Sequence, residues 1–194
     1  MLVYSNEEHN IKIYSLDHTR WEDFELLFGE RGACGGCWCM SWRLKKSEFE
    51  RGKGEFNKNS MKDIVYRGKP VGVLAYVDDN PIGWCAIAPR EVYKRLESSR
   101  VLKRIDDKPV WSISCLFIAK DFRRKGISTE LIKGAIEYAK LNEVNIVEAY
   151  PVVPYGNNVP DAFLWTGVPV AFEEAGFTVV ERRSKWKPML RYYI

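Results

Sequence analysis

Long apolar runs are missing from this 194-residue chain. None reaches the roughly 18 residues that cross a bilayer, and the longest, 71–77 and 113–119, have strand length. Histidine is almost missing: only His9 and His18 occur, both near the start, where surface or helix-cap roles are expected. No Ser/His/Asp arrangement has supporting context, which excludes a serine-hydrolase reading. The five cysteines are few and odd in number, which excludes a disulfide scaffold and predicts free thiols in a reducing cytosol. Neither sign of charge dominates: 30 Lys and Arg stand against 26 Asp and Glu, for a net +4. That balance allows an anionic ligand without demanding nucleic acid. The first ten residues lack a basic stretch followed by an apolar one, so no signal peptide is expected. The phosphate-loop pattern GxxxxGK[ST] and the dinucleotide pattern GxGxxG are both absent. Without a repeat, linker or composition shift, one domain over 1–194 is expected.

What is present alternates between strand and helix patterns. Residues 9–16 read as a strand, followed by an Asp17 or His18 cap. A helix follows, with Trp21, Phe24, Leu27 and Phe28 on one face. Residues 30–42 form a Gly/Cys/Trp block without a period, read as a loop. Residues 43–69 suggest short basic helices. Segments 71–77 and 82–88, joined by Asp78-Asp79-Asn80-Pro81, read as an antiparallel hairpin. Segment 109–119 is apolar on both faces, hence a central strand. A helix beginning near Ile127 carries Leu131, Ile132, Ala135, Ile136 and Ala139 on one stripe. A short strand follows at 145–152, then a loop at 154–161, a helix over 168–176 and two final strands. The fold class is α/β (α+β), with one mixed, mostly antiparallel sheet of six or seven strands flanked by helices.

The segment 109–139 carries the chemistry. A buried strand leads into Arg123-Arg124-Lys125-Gly126-Ile127-Ser128, which opens the amphipathic helix. A helix start offers unpaired N–H groups and partial positive charge, Gly126 permits close approach, and three cations flank it. This makes an anion site suited to a pyrophosphate.

The pattern Arg123-x-x-Gly126-x-Ser128 after such a strand resembles the acetyl-CoA signature of the GNAT acyltransferase superfamily. The element order and the AFEEAGF segment at 171–177 are similar to that family as well. The blocks GCWCMSWR, GWCAIAPR and DDKPVWSISCLFI resemble a bacterial subgroup of it. The resemblance implies acetyl-CoA as donor, no metal, and a small-molecule or peptide amine as acceptor that attacks the thioester directly. Leu116, Phe117 and Ile118 would pair with the pantetheine arm. Arg123, Arg124, Lys125, Gly126, Ile127, Ser128 and Thr129 would hold the pyrophosphate. The strands at 110–118 and 145–150 would splay apart, leaving the thioester near Ser114, Cys115 and Tyr150. Phe172 stands where many members carry a proton-donating Tyr, and Trp165 where many carry an Asn. Tyr150 or Tyr155 would then be the acid, unless the thiolate leaves unassisted, and Glu148 the base.

Cys34-x-x-Cys37-x-Cys39 admits three readings: small buried thiols, a metal or redox centre, or a wall of the acceptor pocket together with Trp38, Met40 and Trp42. A zinc site wants four ligands, and the remaining Cys85 and Cys115 lie in apolar strands. The expected function is a cytoplasmic acetyl-CoA-dependent N-acetyltransferase that needs neither nucleic acid nor membrane and allows a homodimer. Two alternatives stay open: a non-catalytic acyl-CoA sensor and a nucleic-acid module built on the basic 43–69 segment.

Overall fold

The computed structural model describes residues 1–155, 159–160 and 163–194, so part of the expected 154–161 loop lies outside the described residues. Eight strands form one sheet: β1 (Leu2–Asn6), β2 (Ile11–Ser15), β3 (Gly72–Val77), β4 (Asn80–Pro89), β5 (Trp111–Ile118), β6 (Ile146–Ala149), β7 (Thr178–Glu181) and β8 (Met189–Tyr193). Their spatial order is β1-β2-β3-β4-β5-β6-β8-β7. Every pairing is antiparallel except β5 with β6. The expected mixed sheet is present with one strand more than seven. The addition is β1, a half-exposed edge strand whose polar LVYSN sequence carries little apolar alternation.

Helices cover both faces. On one face lies α5 (Ile127–Leu141), whose stripe Ile127, Leu131, Ile132, Ala135, Ile136 and Ala139 packs on Ile13, Ala75, Ile113 and Leu116. Beside it lies α6 (Pro169–Glu174), with proline at its first position, where a missing N–H costs nothing. On the other face α1 (Trp21–Phe28) buries Trp21, Phe24 and Phe28 against Trp84. Two further helices, α2 (Lys46–Arg51) and α3 (Glu55–Tyr66), complete that layer, and the short α4 (Lys94–Glu97) lies between β4 and β5 in the chain. The edge strand β1 is fastened to α5 through Glu130. Its carboxylate accepts hydrogen bonds from Tyr4 Oη at 2.7 Å and Asn6 Nδ2 at 3.0 Å.

The sheet divides in the middle. β5 and β6 pair only at Trp111, Ser112 and Ile113, against Val147, Glu148 and Ala149. Beyond that point β5 continues to Ile118, and among the described residues its only strand partner there is β4. The returning chain enters the opening: Leu116 N donates to Trp165 O at 2.7 Å, and Val152 N to Gly167 O at 2.9 Å. The expected splay of the fourth and fifth core strands is therefore present.

Candidate active site

A cavity of about 600 Å³ opens over this division. One wall is Cys115, Leu116, Phe117 and Ile118 of β5, and the opposite wall comes from Leu164, Trp165, Gly167 and Val168. The cysteine loop closes one end with Cys34, Cys37 and Cys39, beside Trp42 and Phe49. Arg123, Arg124 and Ser128 stand at the start of α5. The size suits a small-molecule site.

The turn before α5 is shaped for an anion. Gly126 caps the helix in the left-handed region (φ 76°), with no side-chain capping hydrogen bond among the described residues. An atom added at its Cβ position would meet nothing within 4 Å, so open space faces the helix start. Arg124 also has positive φ (59°), which turns the basic run back on itself. Arg123 Nε binds Ile118 O at 2.9 Å and ties the turn to β5. Of the residues expected to hold a donor, Leu116, Phe117, Ile118, Arg123, Arg124 and Ser128 line the cavity. Gly126 shapes the turn without lining the cavity, and Lys125 stacks its ammonium over Phe122 instead. Ile127 packs into the core, and Thr129 Oγ1 binds Glu174 at 2.9 Å.

The cysteine loop is held by backbone that few residues adopt. Ala33, Trp38 and Cys39 all have positive φ (66°, 42° and 58°). Gly36 fits where nothing larger would, because a Cβ there would lie 2.3 Å from Gly54 N. This geometry turns the Trp38 ring inward. Trp38 and Met40 are buried in the core layer under α1, Trp38 stacks on Phe28 at 5.6 Å, and neither lines the cavity. Of the residues expected at the acceptor wall, Trp38 and Met40 thus lie away from the cavity and Trp42 lines it, as does Cys115, expected beside the thioester. Ser114 is buried behind the wall.

The expected acid–base groups lie elsewhere. Glu148 is 1% exposed and accepts from Arg90 Nη1 at 2.7 Å, Arg191 Nε at 2.8 Å and Tyr150 Oη at 2.6 Å. Tyr150 is wholly buried, and its hydroxyl also meets Ser112 Oγ at 2.8 Å. Burial first, and the Glu148 charge next, push the Tyr150 hydroxyl well above the ordinary tyrosine range, opposite to an easily released proton. Tyr155 is exposed and packs on Trp186. None of the three lines the cavity, so the sequence expectation for an acid and base is corrected. The pair at 148 and 150 is instead the centre of a buried ion network. Its members are brought together from positions 58 and 43 residues apart, which is why sequence reading missed it.

Among the described residues lining the cavity there is no Asp, Glu, His or Tyr. The ionisable groups there are Lys53, Arg123, Arg124 and four cysteines. The cysteines differ. Burial pushes Cys37 up to about 11. Cys115 is raised well above a free thiol, first by donating its proton to Cys39 and then by burial. Cys39 is lowered, first by that hydrogen bond from Cys115 and further by Trp84 Nε1 at 3.2 Å and the Arg43 charge. All five cysteines are unpaired. Among the described residues no group of three or more His, Cys, Asp or Glu is arranged to hold a metal, and no helix is long and apolar enough to cross a membrane.

A sheet divided beside a basic helix start, with a cavity along the freed strand, is the arrangement of a CoA-dependent acyltransferase fold. The family model for the acetyltransferase (GNAT) family matches residues 38–159. The chain belongs to that family. Solved structures share the fold at low identity. PaiA N-acetyltransferase from Thermoplasma acidophilum, in complex with coenzyme A, aligns at TM-score 0.52 and 17% identity, covering 95% of this chain and 99% of that one. A GNAT-family acetyltransferase from Listeria monocytogenes aligns at TM-score 0.57 and 7% identity, covering 95% of each chain. Arabidopsis thaliana NAA60, in complex with acetyl-CoA, aligns at TM-score 0.50 and 14% identity, covering 95% of this chain and 99% of that one. No curated protein matches the chain.

Proposed function

We propose that this protein transfers an acetyl group from acetyl-CoA to an amine acceptor, working in a reducing compartment where its unpaired thiols persist. The observation that carries this reading is one cavity joining the basic start of α5 to the cysteine loop along β5. Arg123, Arg124 and the first amides of α5 would hold the pyrophosphate, and Leu116 to Ile118 would border the pantetheine arm. The structural neighbours bound to coenzyme A and acetyl-CoA support that donor.

The acceptor end defines a chemistry. Trp42, Phe49 and Phe28 offer aromatic surface, Lys53 adds a cation, and among the described residues no lining carboxylate receives an ammonium. An amine that enters neutral, on a flat apolar body, suits this wall better than a polyamine. That the described lining residues include no carboxylate, histidine or tyrosine also favours a second reading, an acyl-CoA sensor without turnover.

Thermal unfolding with and without acetyl-CoA tests the donor, with ATP and NAD as controls. Ligand at about 100 times its Kd adds roughly 2.7 kcal/mol. At roughly 2–4 °C per kcal/mol the Tm rises by about 5–10 °C. Arg124→Glu with Gly126→Asp should remove that rise. No rise at millimolar acetyl-CoA refutes the reading. A rise without turnover over a broad amine panel selects the sensor.

A further inference from the structure

The acceptor end of the cavity carries more positive charge than the donor reading uses. Trp42 and Trp165 line it, with ring centroids 5.7 Å apart. Two cations stand on the Trp42 ring, the Arg95 guanidinium at 5.4 Å and the Lys187 ammonium at 5.5 Å, and Lys187 lies 6.0 Å from the Trp165 ring as well. Arg95, on α4, is occupied. Its Nη1 donates to Ser41 O at 3.1 Å and Ser41 Oγ at 2.9 Å, and its backbone N donates to Trp42 O at 3.1 Å, so it holds the Ser41–Trp42 wall in place. Lys187 is not occupied. It is half-buried, and among the described residues no carboxylate or hydrogen-bond acceptor meets its ammonium. Its backbone is fixed on both sides: Trp186 O accepts from Val153 N at 2.9 Å, and Pro188 is buried. The indole N–H of Trp42 is likewise without a partner among the described residues. Lys53, in the wall, is already paired with Glu50 at 2.6 Å. Stacking on indoles offsets part of an ammonium's lost hydration, but two cations on one ring repel each other, and an anion beside them relieves both.

Resting on the donor reading above, we propose that the acceptor is an amine carrying a carboxylate on a flat apolar body, and that Lys187 is the residue that selects the carboxylate. The body lies along Trp42 and Trp165, the carboxylate meets Lys187 at the edge of those rings, and the amine points back towards Cys115, beside which the thioester is expected. Lysine presents a compact point charge, and one such charge left over matches a single negative charge, which favours a carboxylate over a phosphate. The same cations act on the amine. Positive charge nearby disfavours an ammonium and so favours the neutral amine that attack requires. That effect aids a cavity whose described lining includes no Asp, Glu, His or Tyr. A polyamine, with no negative group to offer, meets only repulsion at this end.

The test uses protein saturated with CoA, whose binding is first read as a rise in Tm. Matched pairs that share one aromatic body are then titrated by calorimetry: para-aminomethylbenzoate against the corresponding benzamide, and tryptophan against tryptophanamide. The carboxylate should bind about tenfold more tightly than its amide, the effect of one close charge pair. Lys187→Met should reduce that preference to within about twofold while keeping the CoA-induced rise in Tm, and Lys187→Arg should retain the preference. Lys187→Gln serves in place of Lys187→Met should the latter fail to fold. In turnover with acetyl-CoA the preference should appear in the acceptor KM rather than in kcat. A CoA-induced rise with no carboxylate preference, or with a preference that survives in Lys187→Met, overturns the proposal and leaves the donor reading standing. No rise with CoA or acetyl-CoA removes the donor reading and this inference together.

Discussion

Replacing Glu148 with Gln separates two roles for one carboxylate. The side chain is nearly isosteric, so the change removes charge while keeping shape. In the native protein Glu148 lies between two guanidiniums, Arg90 and Arg191, exposed to 1% and 3%. Breaking a buried pair by removing one partner costs about 3–5 kcal/mol, because the partner's charge stays buried. Both arginines keep some compensation here. Arg90 retains Glu97 at 2.9 Å and the Leu102 carbonyl, and Arg191 retains Asp106 at 2.7 and 3.0 Å. The cost therefore falls at the lower end, about 3 kcal/mol. For a chain of this size that lowers Tm by about 6–12 °C. Circular dichroism melts at pH 7, with urea titrations to check that the slope is unchanged, measure it. Acetyl transfer assayed well below the lowered Tm should keep its kcat within a few fold. A Tm drop below about 2 °C would show that the network contributes little. An unchanged Tm with kcat lost by orders of magnitude would restore Glu148 as the base and refute the argument from burial.

Trp38→Ala should cost about 3–5 kcal/mol in urea unfolding, as a large aromatic taken from a packed core does. A loss confined to acceptor KM, with stability intact, would return Trp38 to the acceptor wall. Glu130 gives a pH dependence. Burial pushes its carboxyl up, but hydrogen bonds from Lys133, Tyr4 and Asn6 outweigh that and hold it below the ordinary 4.5. Its contribution is therefore present above about pH 4.5 and is lost as pH falls through the lower folded value. Melting curves of wild type and Glu130→Gln should differ at pH 6 and converge towards pH 3. A constant gap across that range would contradict the assignment.

What was legible in the sequence was what is local. The stripe of α5, the hairpin of β3 and β4, and the Arg123–Ser128 turn each lie within one short window, and each is found in place. The strand β1 was not, because an edge strand buries little and its alternation fades. The inward turn of Trp38 depends on positive φ at Ala33, Trp38 and Cys39, conformations that non-glycine residues rarely announce. The Glu148–Arg90 pair and the Cys39–Cys115 pair join distant segments, so no spacing rule points to either. The family resemblance sets Cys115 beside the thioester, whereas Cys39 stands in the sequence only as one member of the Gly/Cys/Trp block.

The opening between β5 and β6 has a consequence for how anything binds there. A sheet that parts in the middle creates two inner edges, and bare edges invite strands from other molecules. Here the chain occupies its own opening. Trp165 O takes the Leu116 amide, Gly167 O takes the Val152 amide, and Arg123 Nε takes the Ile118 carbonyl. An incoming arm that pairs with Leu116 or Ile118 must replace these bonds one for one, and such an exchange is nearly neutral in free energy. Net affinity then comes from what the exchange does not cancel: apolar contact with Leu116, Phe117 and Val168, and charge at Arg124. A short polar amide gains little by displacing Trp165. A long thioester with an anion at its far end gains at both ends, so the barrier to entry selects for length.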